Sequence, residues 1–274
     1  MLNTKIAFIG AGNMAGSLLG GLIQKGHAAD HLWASCPDAA HLVQLQQQYP
    51  KLQTTTSNQA ACAAASVVVL AVKPQILKSV CQEIATTIQQ TKPLILSVAA
   101  GIQTTQIQQW LNYSGEIIRA MPNTPALVGA GATGLFATPQ CSTHSKALAE
   151  ALLQACGITV WITEEAHMDL VTALSGSGPA YFFLMVENLI KAATHLGLPT
   201  DTATILANQT ALGSARLLLE TQTDAQTLRK QVTSPNGTTE KGIQALEQNG
   251  FPHAIEAAIT AAFARGQQLS KTFD

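Results

Sequence analysis

Two short stretches of this chain carry residues whose types and spacing could do chemistry. The first is Gly10-Ala-Gly-Asn-Met-Ala15, a G-x-G-x-x-A array directly behind the apolar run Lys5-Ile-Ala-Phe-Ile-Gly10. At a strand-to-helix junction this is the pattern of a dinucleotide phosphate loop. Gly10 permits the tight turn, Gly12 lets the backbone approach a pyrophosphate, and the small Ala15 allows the helix to pack close to its strand. The second stretch is Thr233-Ser-Pro-Asn-Gly-Thr-Thr-Glu240. Pro235 presets its own φ and Asn236-Gly237 tolerates positive φ, so the segment reads as a polar turn. Thr238 or Thr239 can cap the helix that follows, whose apolar positions are Ile243, Ala245 and Leu246 and whose stop is Asn249-Gly250. A helix start offers unpaired N–H groups and the positive end of the dipole, which suit a small carboxylate or phosphate. An ordinary interhelical turn uses the same residues, so this stretch alone does not distinguish the two.

The elements that must position these stretches alternate at first. Strands are expected at Lys5–Gly10, His31–Ser35, Val67–Ala71, Leu94–Val98 and Glu116–Ala120, then at Thr133–Ala137 and Gly157–Trp161. Helical segments lie between them, and residues 49–58 read as a polar connection ending at Asn58, at the start of a short Ala/Cys-rich helix. Repeated βα units make one Rossmann-like, doubly wound α/β domain over residues 1–164. From 165 to 274 the periodicity is helical only: His167–Leu174, a break at Ser175-Gly-Ser-Gly-Pro179, then helices at 180–195, 200–221, 225–232, 239–248 and 251–270. The 180–195 helix is apolar nearly all round, with Tyr181, Phe182, Phe183, Leu184, Met185, Val186, Leu189 and Ile190. A domain of this size cannot bury such a helix alone, and an obligate oligomer built through an all-α dimerisation domain is expected.

Ligands of open α/β sheets sit just outside strand carboxyl ends, which draws attention to Ala71-Val72-Lys73-Pro74; a solvated loop lysine is the plain alternative for Lys73. NAD enzymes usually place an acid about 20 residues past the glycines. Here the second strand ends in Ala34-Ser35-Cys36-Pro37 with no acid before Asp38. Ser35 would not repel a 2′-phosphate, so NADPH is favoured over NADH.

Composition narrows the class. The 274 residues carry a net charge of −1 and no basic run, which argues against a nucleic-acid surface. Five scattered cysteines without C-x-x-C read as free thiols, and seven dispersed histidines form no metal-binding pair. Val171–Ala193 is interrupted by the Gly/Pro segment and Glu187, so no spanning helix is expected, and no signal-peptide pattern opens the chain. The expectation is a soluble cytoplasmic protein without metal.

With these residues in view, the chain resembles the pyrroline-5-carboxylate reductases along essentially its whole length. The resemblance rests on Ile9-Gly-Ala-Gly-Asn-Met14, Ala71-Val-Lys-Pro74, Arg119-Ala-Met-Pro-Asn-Thr-Pro125, Ala173-Leu-Ser-Gly-Ser-Gly-Pro-Ala180 and Val232-Thr-Ser-Pro-Asn-Gly-Thr-Thr239. It implies NAD(P)H-dependent reduction of L-1-pyrroline-5-carboxylate to L-proline. It also implies cofactor contacts at Ile9, Gly10, Ala11, Gly12, Asn13 and Met14, at Ser35 and Asn58, and at Ala71, Val72, Lys73 and Pro74. Ala99, Ala100 and Gly101 would lie near the nicotinamide. The substrate carboxylate would sit on the loop from Ser234 to Thr239, held by the Ser234 hydroxyl and the N–H groups near Gly237 and Thr238. The Thr239 hydroxyl would bond the ring nitrogen, although a helix cap is the plain alternative for that residue. Intertwined dimers, in some members five per decamer, belong to the same expectation. Asn236 departs from the family's usual glycine, and its tolerance of positive φ is expected to preserve the turn. Rival readings are a related imine or 3-hydroxyacid reductase, for which Lys191 is the one lysine on the long helix, and a nucleotide-binding protein without catalysis.

Overall fold

The structure is a computed structural model and describes residues 3–272. Eight strands form one sheet: β1 Ile6–Ile9, β2 Leu32–Ser35, β3 Gln53–Thr55, β4 Val67–Leu70, β5 Leu94–Ser97, β6 Ile117–Met121, β7 Gly131–Ala137 and β8 Gly157–Trp161. Their order is β3-β2-β1-β4-β5-β6-β7-β8, parallel throughout except for the antiparallel β6–β7 pair. β3 was not expected. It is an edge strand with half-buried polar side chains, held by its backbone pairing to β2, so no apolar run announces it.

The strands nearest the phosphate loop are buried on both faces. Successive side chains alternate across the sheet: Ile6 and Phe8 enter one core layer, while Ala7 and Ile9 enter the other. The first layer packs Leu18, Leu19 and Leu22 of α1 (Asn13–Gln24), Leu42 and Leu45 of α2 (Ala39–Gln48) and Leu152 of α6 (Thr143–Leu153). The opposite layer packs Cys62 of α3 (Asn58–Ala63), Leu77 and Ile84 of α4 (Pro74–Thr91) and Ile107 of α5 (Thr104–Leu111). Burial pushes the Cys62 and Cys81 thiols up to about 12, so both are packing groups rather than nucleophiles.

Beyond β8 the chain is helical. α7 (Met168–Val171) runs into a π-helical turn at Thr172–Gly176, where the sequence had suggested a break, and α8 (Gly178–His195) follows. Four further helices are α9 Thr200–Thr221, α10 Ala225–Gln231, α11 Thr238–Gln248 and α12 Phe251–Thr272. By contacts the chain divides into two compact units, one of residues 1–177 with 262–274 and one of Gly178–Ala261. The division thus falls later than the change from βα units to helices, and the last turns of α12 belong with the sheet.

A buried charge explains that return. Arg119 on β6 is 3% exposed, with Nη2 3.1 Å from Asp169 and Nη1 3.4 Å from Glu165. Glu165 also accepts from the Thr104 N–H and hydroxyl, both at 2.7 Å. Gly266 of α12 lies against Asp169, where a β-carbon would stand 3.3 Å from that residue's own. The Ser270 carbonyl accepts from Gln106 at 3.1 Å.

The second unit has little interior of its own. Gly178 and Ala203 are the buried residues of α8 and α9, whereas Phe182, Phe183, Leu184, Leu206 and Leu219 are each more than half exposed. A single copy therefore leaves a large apolar face uncovered.

Arg119→Ala would strand two carboxylates around an uncharged hole. Its urea midpoint should fall by an amount equivalent to about 3–5 kcal/mol of unfolding free energy. An unchanged midpoint would show that the cluster does not hold these elements together.

Candidate active site

The Gly10–Ala15 loop forms at the crowded edge where β1, β2 and β4 end. The Gly10 N–H donates to the Ser35 carbonyl at 2.9 Å, and the Ala71 N–H donates to Ile9 at 2.8 Å. Gly10 has φ +94°, and a β-carbon there would stand 2.8 Å from the Ala71 carbonyl oxygen, so only glycine fits. Gly12 is the N-cap of α1, bears no side-chain cap, and has nothing within 4 Å of where its β-carbon would be. Open space over a bare helix start fits a pyrophosphate held by N–H groups. Gly12 and Asn13 are exposed there and Met14 is half-buried, while Ile9 and Ala11 are buried and shape the loop from beneath. His41, which sequence reasoning passed over, donates from Nε2 to the Ala11 carbonyl at 2.7 Å and pins the loop to α2. Only the structure could show this, because 30 residues separate the two.

At the end of β2 Ser35 is fully buried, and its hydroxyl donates to the Asn58 Oδ1 at 2.7 Å. The Asn58 Nδ2 donates in turn to Glu83 at 3.0 Å. The Ser35 hydroxyl, expected as a cofactor contact, has its proton engaged in orienting Asn58, whose carboxamide keeps one N–H and one lone pair without a partner among the described residues. Ser57, not Asn58, caps α3, accepting from the Ala60 N–H. Asp38 caps α2, accepting from the Ala40 and His41 N–H groups at 3.0 and 3.1 Å, so its carboxylate is committed within the helix start.

Val72, Lys73 and Pro74 form the exit of β4 and the start of α4, with Lys73 exposed as the N-cap. Of the three residues past β5, Ala99 and Gly101 are buried, Gly101 with Leu269 packed close to its α-carbon, and Ala100 is half-exposed.

The second stretch does make a turn, but neither threonine caps it. Gly237 is the N-cap of α11, whose first two residues are Thr238 and Thr239. The Gly237 N–H closes the turn onto the Ser234 carbonyl at 3.0 Å, and Asn236 takes φ +58°. Its N–H donates to the Glu240 carboxylate at 3.0 Å. Ser234, Thr238 and Thr239 are exposed, and their hydroxyls bond no other described residue. With a glycine as cap, both threonine hydroxyls and the first N–H groups of α11 stay open to a small anion.

Comparison with known proteins decides the family. Residues 165–269 match the model of the pyrroline-5-carboxylate reductase dimerisation domain, and residues 5–101 match that of coenzyme F420-dependent NADP oxidoreductases. The pyrroline-5-carboxylate reductase of Pseudomonas aeruginosa is 45% identical over 99% of this chain and 98% of its own. The chain belongs to the pyrroline-5-carboxylate reductase family. A solved reductase from Coxiella burnetii superposes with a TM-score of 0.92 at 42% identity, covering 98% of this chain and 99% of that one. A Plasmodium falciparum pyrroline carboxylate reductase, solved with NADP bound, superposes with a TM-score of 0.88 at 29% identity over 98% and 99% of the two chains. Among the described residues no helix is long and apolar enough to cross a membrane, and no cluster of three His, Cys, Asp or Glu could hold a metal.

For a reductase of this family the Ser35–Asn58 bond has a kinetic consequence. Ser35→Ala frees the Asn58 amide to rotate, and the KM for NADPH should rise about three- to tenfold with little change in kcat. An unchanged KM in initial-rate assays would separate Asn58 from cofactor binding.

Proposed function

We propose that this protein reduces L-1-pyrroline-5-carboxylate to L-proline with NADPH, an oxidoreductase acting on a CH–NH bond, with NADH as the alternative donor. The observation that carries this reading is its near-half identity to a pyrroline-5-carboxylate reductase over essentially both full lengths. The rival hydroxyacid-type chemistry finds no support in Lys191, which is exposed and ion-paired with Glu187 on the same helix.

NADPH, when bound, supplies the hydride. The exposed N–H groups at Gly12 and Asn13 hold its pyrophosphate, and Asn58, aligned by Ser35, meets the adenosine ribose. Lys73 and Pro74 border its path, and Ala99 to Gly101 form the wall at its nicotinamide. The Ser234 hydroxyl and the N–H groups at Gly237 and Thr238 hold the substrate carboxylate at the positive end of α11. The Thr239 hydroxyl accepts from the protonated imine N–H and fixes the plane of the ring. A protonated imine is already a good hydride acceptor, so positioning is the main task of these groups. Hydride addition to the ring carbon would leave the nitrogen's proton in place, so these residues need supply no general acid.

Residues 1–164 serve as the nucleotide domain and 165–274 as the dimerisation and substrate domain. The uncovered apolar faces of α8 and α9 close against a second copy, and dimers can assemble further into a pentamer of dimers. The site of action is the cytoplasm.

An NADPH-oxidation assay with pyrroline-5-carboxylate tests the reading directly, and no turnover would sink it. In the same assay Thr239→Ala should lose about tenfold or more in kcat/KM for the imine while NADPH binding barely changes. Full activity would remove Thr239 from the site. At matched concentrations NADPH should outpace NADH, and a clear NADH preference would overturn the reading of the acid-free β2 end.

A further inference from the structure

The Arg119–Pro125 segment carries a second device besides the buried arginine. β6 ends at Met121, and its parallel pairing with β5 sets Ser97 beside Arg119, so the exits Val98–Gly101 and Pro122–Asn123 leave the sheet side by side. In an open α/β sheet this carboxyl edge is where the reactive end of a dinucleotide lies. Asn123 is 9% exposed, and its side chain is used at both ends. Oδ1 accepts from the Ala132 N–H of β7 at 2.9 Å, and Nδ2 donates to the Ser175 carbonyl at 3.1 Å.

That carbonyl has a covalent reason to need help. Its α-helical partner would be the N–H of residue 179, which is a proline and has none. The chain is meanwhile wound as a π-turn, with the Ser177 N–H donating to the Thr172 carbonyl at 2.8 Å. The Thr172 and Ser175 hydroxyls bond back to Met168 and Val171, which loosens the ladder further. On its sheet side the turn meets Met121, whose side chain lies against the Gly176 α-carbon.

We infer that Asn123 is a positioning residue for the reduction: its carboxamide replaces the donor that Pro179 lacks and so fixes the Ser175–Gly176 turn against the β6 exit, shaping the pocket end where hydride is transferred. The inference rests on the proposed reductase activity and adds to it a residue that touches no reactant. Single-turn π-bulges inside α-helices are frequent at functional sites, and here the turn leaves the Ser175 carbonyl to an outside donor.

Asn123→Asp tests this at nearly constant volume. The carboxylate still accepts from the Ala132 N–H but turns an oxygen toward the Ser175 carbonyl, which it repels. The expected result is a fall in kcat of about tenfold or more, with NADPH Kd unchanged, and a larger primary isotope effect from NADPH deuterated at the transferred position. A merely structural defect removes folded enzyme, which lowers the apparent kcat but leaves the isotope effect and KM alone. Wild-type kcat, or a lower kcat with an unaltered isotope effect, overturns the inference. If N123D does not accumulate folded, Gly176→Ala takes its place, because the new methyl displaces Met121 from the other side of the same joint. There too a lost kcat with a raised isotope effect is expected, and unchanged kinetics overturn the role. Absence of turnover by the wild type would instead remove the proposed activity, and this inference with it.

Discussion

The architecture depends on one buried cation. A guanidinium cannot shed its proton, and burying it unpaired costs several kcal/mol, so the strand that carries Arg119 must be met by acids. Those acids are Glu165 and Asp169, one helical turn apart just past the last strand. Satisfying Arg119 therefore folds the beginning of the helical segment back onto the sheet. Thr104 donates twice to Glu165, and the last turns of α12 pass close by, with Gly266 packed against Asp169. Four segments distant in sequence meet at one charge. The chain beyond Arg119, Met121 to Asn123, is presented at the sheet edge as a result.

A second constraint is crowding. Gly10 sits so close to Ala71 that no side chain fits, whereas, two residues on, the space above Gly12 is open. Fixed small residues on one side and fixed polar groups on the other divide the work at this edge. His41 holds the loop from α2, while Ser35, Asn58 and Glu83 form a chain of hydrogen bonds across three elements. Of the residues that hold this edge, Ser35 is buried, His41 and Asn58 are half-buried and Glu83 is exposed.

The helical unit follows a different logic. Its aromatic and aliphatic side chains outnumber the positions a single copy can bury, so its stability is tied to association. The Ser234–Thr239 turn is a polar feature of the same unit, with exposed hydroxyls on Ser234, Thr238 and Thr239. Asn236 takes φ +58°, the left-handed backbone that its Asn-Gly sequence allows.

Much of this was legible in the chain alone, because it is local. Strand runs such as Val67–Leu70, the glycine array, the Pro-Asn-Gly turn and the βα alternation all report backbone preferences and side-chain periodicity within a few residues. The family resemblance rests on the same local motifs and reached the right family. What the sequence could not decide were matters of partnership. β3 has no apolar signature because an edge strand needs only a neighbour's backbone. That the Ser35 hydroxyl donates to Asn58, 23 residues away, is not legible from the end of β2. The Ser175–Pro179 segment reads as a break until Asn123 supplies a donor to its carbonyl and the turn continues as a π-helix. Composition and spacing set which groups are available; the three-dimensional fold alone determined which of them are already satisfied by one another and which are left free to meet a ligand.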